Sequence, residues 1–64
     1  MKLWTYIGKK VLIELTNGQK FIGEVINYDD EIDNESGEDS IHLDDGIDLY
    51  DFDESQIKYI EVLK

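Results

Sequence analysis

Two Asx-Gly dipeptides, Asn17-Gly18 and Asp45-Gly46, divide much of this 64-residue chain into short segments in which apolar and polar residues alternate. Asx-Gly favours a tight reversal because both residues tolerate the positive φ of a type I′ turn, and alternation is typical of half-buried strands. The first dipeptide joins strands predicted at 9–15 and 20–28, and the second joins strands predicted at 39–43 and 46–52. These features predict two β-hairpins.

The remaining segments complete an all-β fold. Residues 57–63 predict a fifth strand, and 53–56 a single 3₁₀ or helical turn entered through an Asp cap. The stretch "KLWTYIG" predicts a short amphipathic turn or helix over one end of the sheet. Gly23, in the middle of the second strand, indicates a bulge, a sharp bend or a close approach of another backbone. We therefore expect one domain over residues 1–64, a five-stranded SH3-like barrel whose closure removes most exposed sheet edge.

The short chain limits how stable the fold can be, and its segments indicate where the protein is located. A domain of this size buries only about 60% of the surface that its unfolded chain exposes, and the chain has no cysteine to form disulfides or thiolate metal sites. Stability must come from packing, or from assembly with other chains. No segment resembles a signal peptide or a membrane span, so the expected location is the cytoplasm.

Charge is strongly segregated along the chain. Residues 29–54 contain thirteen carboxylates and no Lys or Arg, within a total net charge of −10. Such a field attracts cations and basic proteins and repels polyanions. One hypothesis is therefore an acidic mimic of the phosphate backbone that binds a basic or nucleic-acid-binding protein.

Carboxylates in this number also raise the question of metal binding or catalysis. In "DDEIDNESGEDS", the closest alignment to an EF-type calcium loop starts at Asp33, but Gly37 then falls one residue early and no Glu follows at the required spacing. A solvated loop is the preferred interpretation over a functional calcium site, and the many carboxylates are compatible with diffuse, weak cation binding. His42 is the only histidine, it lies at a polar position of its strand, and no nucleophile is arranged with it. We predict no cofactor, no metal site and no enzymatic activity.

Residues 8–34 carry a family resemblance. An aliphatic strand is followed by Leu15, Gly18, Phe21, Gly23, Tyr28-Asp29 and Asn34, which resembles the first signature of the Sm-like (LSm) family. The flanks "YIGKKV" and "SQIKYIEV" are similar to small Sm-like proteins of Gram-positive bacteria and their phages. The resemblance implies a small β-barrel, a ring of six or seven subunits in which the fourth strand of one pairs with the fifth of the next, and binding of single-stranded RNA.

This sequence departs from the family pattern at the RNA site. Asn34 lies one residue later than the family's loop Asn, and Gln56 and Lys58 stand where the second signature has Arg-Gly. The candidate base-contacting residues are Tyr28, Ile32 and Asn34; Tyr28 would either stack on a base or pack against the barrel rim. The acidic charge makes RNA a disfavoured ligand, and the resemblance supports assembly more than RNA binding.

Aromatic residues late in the chain are the candidates for an interface. With Ile47 and Leu49 placed on the buried side of the fourth strand, Tyr50 and Phe52 are expected to point outward, and Tyr59 lies on the fifth strand. The alternative is that a small barrel uses these rings to cover its bent second strand. We expect a non-enzymatic Sm-like interaction module that forms homo-oligomers through its last two strands and binds a protein or, weakly, single-stranded RNA.

Overall fold

The computed structural model describes residues 2–30, 32 and 37–63. Five strands form one antiparallel sheet: β1 (Lys10–Leu15), β2 (Lys20–Asp29), β3 (Ser40–Asp44), β4 (Leu49–Asp53) and β5 (Ile57–Val62). One 3₁₀ turn, η1 (Leu3–Tyr6), precedes the sheet, and a second, η2 (Glu54–Gln56), precedes β5. The predicted all-β fold with five strands and two short turns is confirmed. Within the described residues, no helix has the length and apolarity needed to cross a membrane.

The sheet wraps around a single core. Strand order is β4-β3-β2-β1-β5, so β1 lies between β2 and β5, and β3 lies between β2 and β4. Alternate residues of β1 point inward as predicted, and the η1 residue Leu3 is fully buried beneath the turn. The buried apolar side chains are Leu3, Val11, Ile13, Leu15, Val25, Ile41, Leu43, Phe52 and Ile57.

The first hairpin turns differently from the prediction. The Gly18 N–H donates to the Leu15 carbonyl oxygen at 2.9 Å, and the Leu15 N–H donates to the Gln19 carbonyl oxygen at 2.8 Å. Gly18 has a φ of 90°, whereas no described residue other than glycine has a positive φ. A type I′ turn needs positive φ at two successive residues, so that prediction is wrong. The pattern is a three-residue loop in which Gly18 alone takes the left-handed conformation.

Gly23 marks a close approach of another backbone, one of its three predicted roles. A Cβ at this position would lie 2.5 Å from the Asp44 carbonyl oxygen and 3.1 Å from the Asp45 Cα. The register shift of β2 against β3 comes later, between Val25 and Asn27. The backbone at the end of β3 therefore passes directly against Gly23, and the bulge that follows redirects the second half of β2.

The prediction of which β4 side chains point inward and which point outward is wrong. Phe52 is only 5% exposed and Tyr50 is half-buried, whereas Ile47 is 89% exposed and Leu49 is 67% exposed. The strand begins at Leu49, because the loop before it is held by Asp45 and leaves Ile47 outside the sheet. Phe21, Tyr50 and Phe52 instead form an aromatic cluster, with ring centroids 4.9–5.9 Å apart. The rings cover the bent second strand, which is the alternative that the sequence left open.

Candidate interaction surfaces

The sheet has two unpaired edges. β4 and β5 stand at opposite ends of the strand order, and each pairs with only one described strand. The expected closure of the barrel by hydrogen bonds between its end strands is therefore absent from the described part of the chain. Unpaired N–H and C=O groups along a strand are a template for pairing with another chain.

Backbone direction can be assigned along the β4 edge. The Glu54 N–H donates to the Asp39 carbonyl oxygen at 2.8 Å, on the β3 side. Because N–H groups alternate in direction along a strand, Tyr50 and Phe52 also donate toward β3, and Leu49, Asp51 and Asp53 point to the open edge. The N–H of Asp53 is already occupied, since it donates to Gln56 Oε1 at 2.9 Å. Leu49 and Asp51 are the residues that present edge N–H groups.

The β5 edge follows from the same alternation. The Leu63 N–H donates to the Lys10 carbonyl oxygen at 2.8 Å, so the Glu61 N–H also points to β1. Ile60 and Val62 therefore present their N–H groups to the open edge. The Val62 side chain is 43% exposed. Each edge thus presents outward N–H groups on two alternate residues, so the two edges match in length for antiparallel pairing.

The three predicted interface residues have different positions. Phe52 belongs to the core and Tyr50 packs against it, so neither forms an exposed aromatic surface. Tyr59, on the outward phase of β5, is 39% exposed and lies opposite Glu14 of β1. Exposed apolar surface near the β4 edge comes from Leu49, which sequence reasoning had assigned to the core. Alternation of Tyr50 and Phe52 with Asp51 and Asp53 is the sequence signal from which their inward direction could have been predicted.

Tyr28 lies in an aromatic pair that the sequence analysis missed. Its ring packs against the core and meets the ring of Trp4 edge-to-face, with centroids 6.0 Å apart. Trp4 is 49% exposed, so it offers more ring surface to solvent than the half-buried Tyr28. Ile32 is 86% exposed, and Asn34 lies outside the described residues. Asp29 and Asp30 follow Tyr28 directly, which keeps the surroundings of this pair anionic.

An acidic face covers the outer side of β3 and β4. Since Ile41 and Leu43 point inward, His42 points outward, and its Nε2 lies 2.9 Å from Asp29 Oδ2 and 3.9 Å from Asp51 Oδ1. His42 is half-buried rather than fully at the surface. Within the described ranges, no group of three or more His, Asp or Glu residues has the geometry to hold a metal ion.

Ser40 lies on the same outward phase as His42, between Asp29 on β2 and Asp53 on β4. It is 1% exposed, and its hydroxyl has no hydrogen-bond partner among the described residues. Leaving a buried hydroxyl unpaired costs about 1–3 kcal/mol. Ser40 is therefore a point of weakness in the sheet.

The end of the acidic loop is attached to η2. Glu38 accepts hydrogen bonds from the N–H and the hydroxyl of Ser55, at 2.9 and 3.0 Å. This part of the acidic run is thus structural, because it fixes the entry to β3 against the turn before β5.

A groove lies beside Gly23, where the end of β3 meets β2. Its volume is about 410 Å³, and it is lined by residues 22–24, residues 44–46 and Lys10. Gly23 lines it at a point where a Cβ would lie 2.5 Å from the Asp44 carbonyl oxygen. The volume is at the small end for ligand pockets, and it suits one or two side chains of a partner.

The loop beside the groove is held by Asp45. Its Oδ1 accepts hydrogen bonds from the N–H groups of Asp48 and Ile47, at 2.7 and 2.8 Å, and Asp44 Oδ1 accepts one from the Gly46 N–H at 2.8 Å. The N–H of Asp48, and then that of Ile47, hold the pKa of the Asp45 carboxyl below its usual value. Desolvation, followed by the charges of Asp45 and Asp48, raises the pKa of the Tyr50 phenol. Asp45 therefore stays ionised and keeps the loop in shape.

Comparison with protein-family models, with curated proteins and with solved structures finds no significant match to this chain.

Proposed function

We propose that this chain is a non-catalytic module that assembles with copies of itself, the β4 edge of one copy pairing with the β5 edge of the next. The observation that carries the proposal is the pair of open edges, each with two alternate residues whose backbone groups face outward: Leu49 and Asp51 on β4, Ile60 and Val62 on β5. Pairing satisfies these groups without any change of fold.

Side chains beside the edges add apolar area to the contact. Leu49, Tyr59 and Val62 are 67%, 39% and 43% exposed, respectively. Burial of one such aliphatic side chain contributes about 1.5–3 kcal/mol. A head-to-tail contact of this kind joins unlike surfaces, so it generates a closed ring or an open filament. The Sm-like resemblance favours the ring.

Charge sets the conditions for assembly. Each copy carries a net charge of −10, so copies repel one another at low ionic strength. The screening length falls from about 30 Å at 0.01 M salt to about 8 Å at physiological salt, and assembly is therefore expected to strengthen with salt.

Sedimentation velocity tests the assembly at several protein and salt concentrations, with two variants of one edge residue. Val62→Pro removes an outward N–H without breaking a bond to β1, and is expected to sediment as a smaller species. Val62→Ala keeps the N–H and is the matched control, which should still assemble. A wild-type protein that is monomeric throughout, including at physiological salt, contradicts the proposal.

A second function is favoured by a separate observation, the acidic outer face of β3 and β4. Asp44, Asp51 and Asp53 occupy outward positions there, with Asp29 of β2 beside His42. We propose that this face binds a basic or nucleic-acid-binding protein by imitating phosphate charge. Pull-downs at low salt that recover no basic protein would count against this second function.

RNA is the less favoured ligand of the module. Trp4 and Tyr28 could stack on a base, but Asp29 and Asp30 adjoin them and the chain has no arginine. Binding of a labelled oligonucleotide tests whether RNA is a ligand. Weak binding that is lost in Tyr28→Ala and in Trp4→Ala would support base stacking on this aromatic pair, and binding unchanged in both variants would contradict it.

A further inference from the structure

We propose that the groove beside Gly23, together with the β3–β4 loop, is a docking surface for a protein segment that presents an arginine or lysine next to a large apolar side chain. The proposal deepens the second proposed function, a basic partner, and does not rest on the assembly of copies, since the lining of the groove includes no edge residue of β4 or β5.

The walls of the groove combine negative charge with apolar surface. Glu24 and Asp44 lie opposite each other in the β2–β3 register, and Asp45 follows them. Three carboxylates thus line the groove against one cation, Lys10. Ile22, which is 53% exposed, supplies apolar wall between the charges. A basic side chain that packs its apolar stem on Ile22 fits both features.

The loop beside the groove adds exposed apolar surface. Ile47 is 89% exposed, the largest exposed fraction of any large apolar residue among those described. Three hydrogen bonds to the carboxylates of Asp44 and Asp45 hold the loop that carries Ile47. A loop held in this way loses little conformational entropy on binding, so the exposed Ile47 side chain is an efficient contact.

The charge of this surface excludes other occupants. A second copy docking through the same loop would bring Asp44, Asp45 and Asp48 against their own equivalents, and like charges in contact cost several kcal/mol. Nucleic acid is repelled by the same carboxylates. Within the described residues, this cluster lacks the geometry of a metal site. Charge complementarity therefore selects a basic partner.

The experiment is a titration of the isotope-labelled full chain, followed by amide chemical shifts, with a short peptide that carries Leu between two arginines. We expect shifts concentrated at residues 22–24 and 44–49. A second peptide with Ser in place of Leu has the same charge and should bind more weakly. Shifts spread evenly over the acidic residues, or equal affinity for the two peptides, would overturn the proposal.

Two variants provide a matched pair. Ile47→Ser keeps the N–H that donates to Asp45, and Ile32→Ser keeps the N–H that donates to Asp30 at 3.1 Å. The two side chains are 89% and 86% exposed, so neither variant removes core packing. Ile47→Ser is expected to weaken the Leu peptide about fivefold, while Ile32→Ser leaves its affinity unchanged.

Equal loss in both variants, or no loss in either, would contradict the role of Ile47. Sedimentation of Ile47→Ser separates this proposal from the assembly: a change in oligomeric state would identify a second copy as the occupant of the loop and would overturn the basic partner. Unchanged assembly with reduced peptide affinity supports the docking surface alone.

Discussion

Gly23→Ala is the substitution whose cost the structure determines best. The added Cβ would lie 2.5 Å from the Asp44 carbonyl oxygen, 2.9 Å from its carbonyl carbon and 3.1 Å from the Asp45 Cα. Carbon atoms in contact are normally about 3.5–4.0 Å apart, so the end of β3 must retreat by at least about 0.5 Å. All three neighbours are backbone atoms, and no rotation of a side chain relieves the collision.

The magnitude follows from two opposing contributions. Overpacking of this kind costs about 1–3 kcal/mol, and displacement of paired backbone places this site at the upper end. Alanine restricts the unfolded chain and returns about 0.4–1 kcal/mol. We expect a net loss of about 2 kcal/mol, from a domain whose core supplies about 3–5 kcal/mol.

Urea unfolding followed by far-ultraviolet circular dichroism, at fixed protein concentration, measures this loss. With a slope near 1 kcal/mol per molar urea, the midpoint should fall by about 2 M. Gly18→Ala is the comparison, because a Cβ there meets nothing within 4 Å and only its φ of 90° opposes the change. It should cost about 1 kcal/mol. A Gly23→Ala protein as stable as the wild type would refute the close contact between Gly23 and the backbone at the end of β3.

Three further predictions concern the core, Ser40 and the loop. Phe52→Ala should lose about 3–5 kcal/mol, as much as the core supplies, and so be largely unfolded without urea, while Leu49→Ala should change stability in urea unfolding by no more than about 0.5 kcal/mol. The reverse order would mean that Phe52 points outward. Ser40→Ala should gain about 1 kcal/mol in the same assay, because it removes a buried hydroxyl without a described partner; a loss would mean that the hydroxyl is bonded. The lowered pKa of Asp45 means that its carboxylate stabilises the fold above the unfolded pKa of 3.8, and that this contribution disappears as pH falls through the folded pKa. The free energy of unfolding should therefore depend less steeply on pH below about pH 4 in Asp45→Asn, which keeps the oxygen acceptor. The same pH dependence in the variant and the wild type would contradict this role of Asp45.

Local sequence signals located the elements well. The strand starts and ends lie within one residue of those that the alternation of apolar and polar residues predicts, except where the β3–β4 loop delays β4 to Leu49. The position of Gly23 indicated a special contact because a strand interior rarely uses glycine. These features depend on neighbours in sequence, and sequence reasoning is sufficient for them.

Contacts between distant residues were harder to predict. The phase of β4 was missed because Ile47 and Leu49 look like core residues, while the Asp45 hydrogen bonds that keep Ile47 outside depend on loop geometry. The pairing of Trp4 with Tyr28 joins η1 to the end of β2 and has no local signal. The groove likewise forms between β2 and the end of β3, and from the sequence only the special role of Gly23 could be predicted.

The most direct test of the assembly uses two variants that each block one edge. Asp51→Pro removes an edge N–H from β4, and Val62→Pro removes one from β5. Each variant alone is expected to be monomeric in sedimentation velocity at physiological salt. Their equimolar mixture should form a heterodimer, because one variant retains an intact β5 edge and the other an intact β4 edge. A mixture that stays monomeric, or either variant assembling like the wild type, would contradict head-to-tail pairing of β4 with β5.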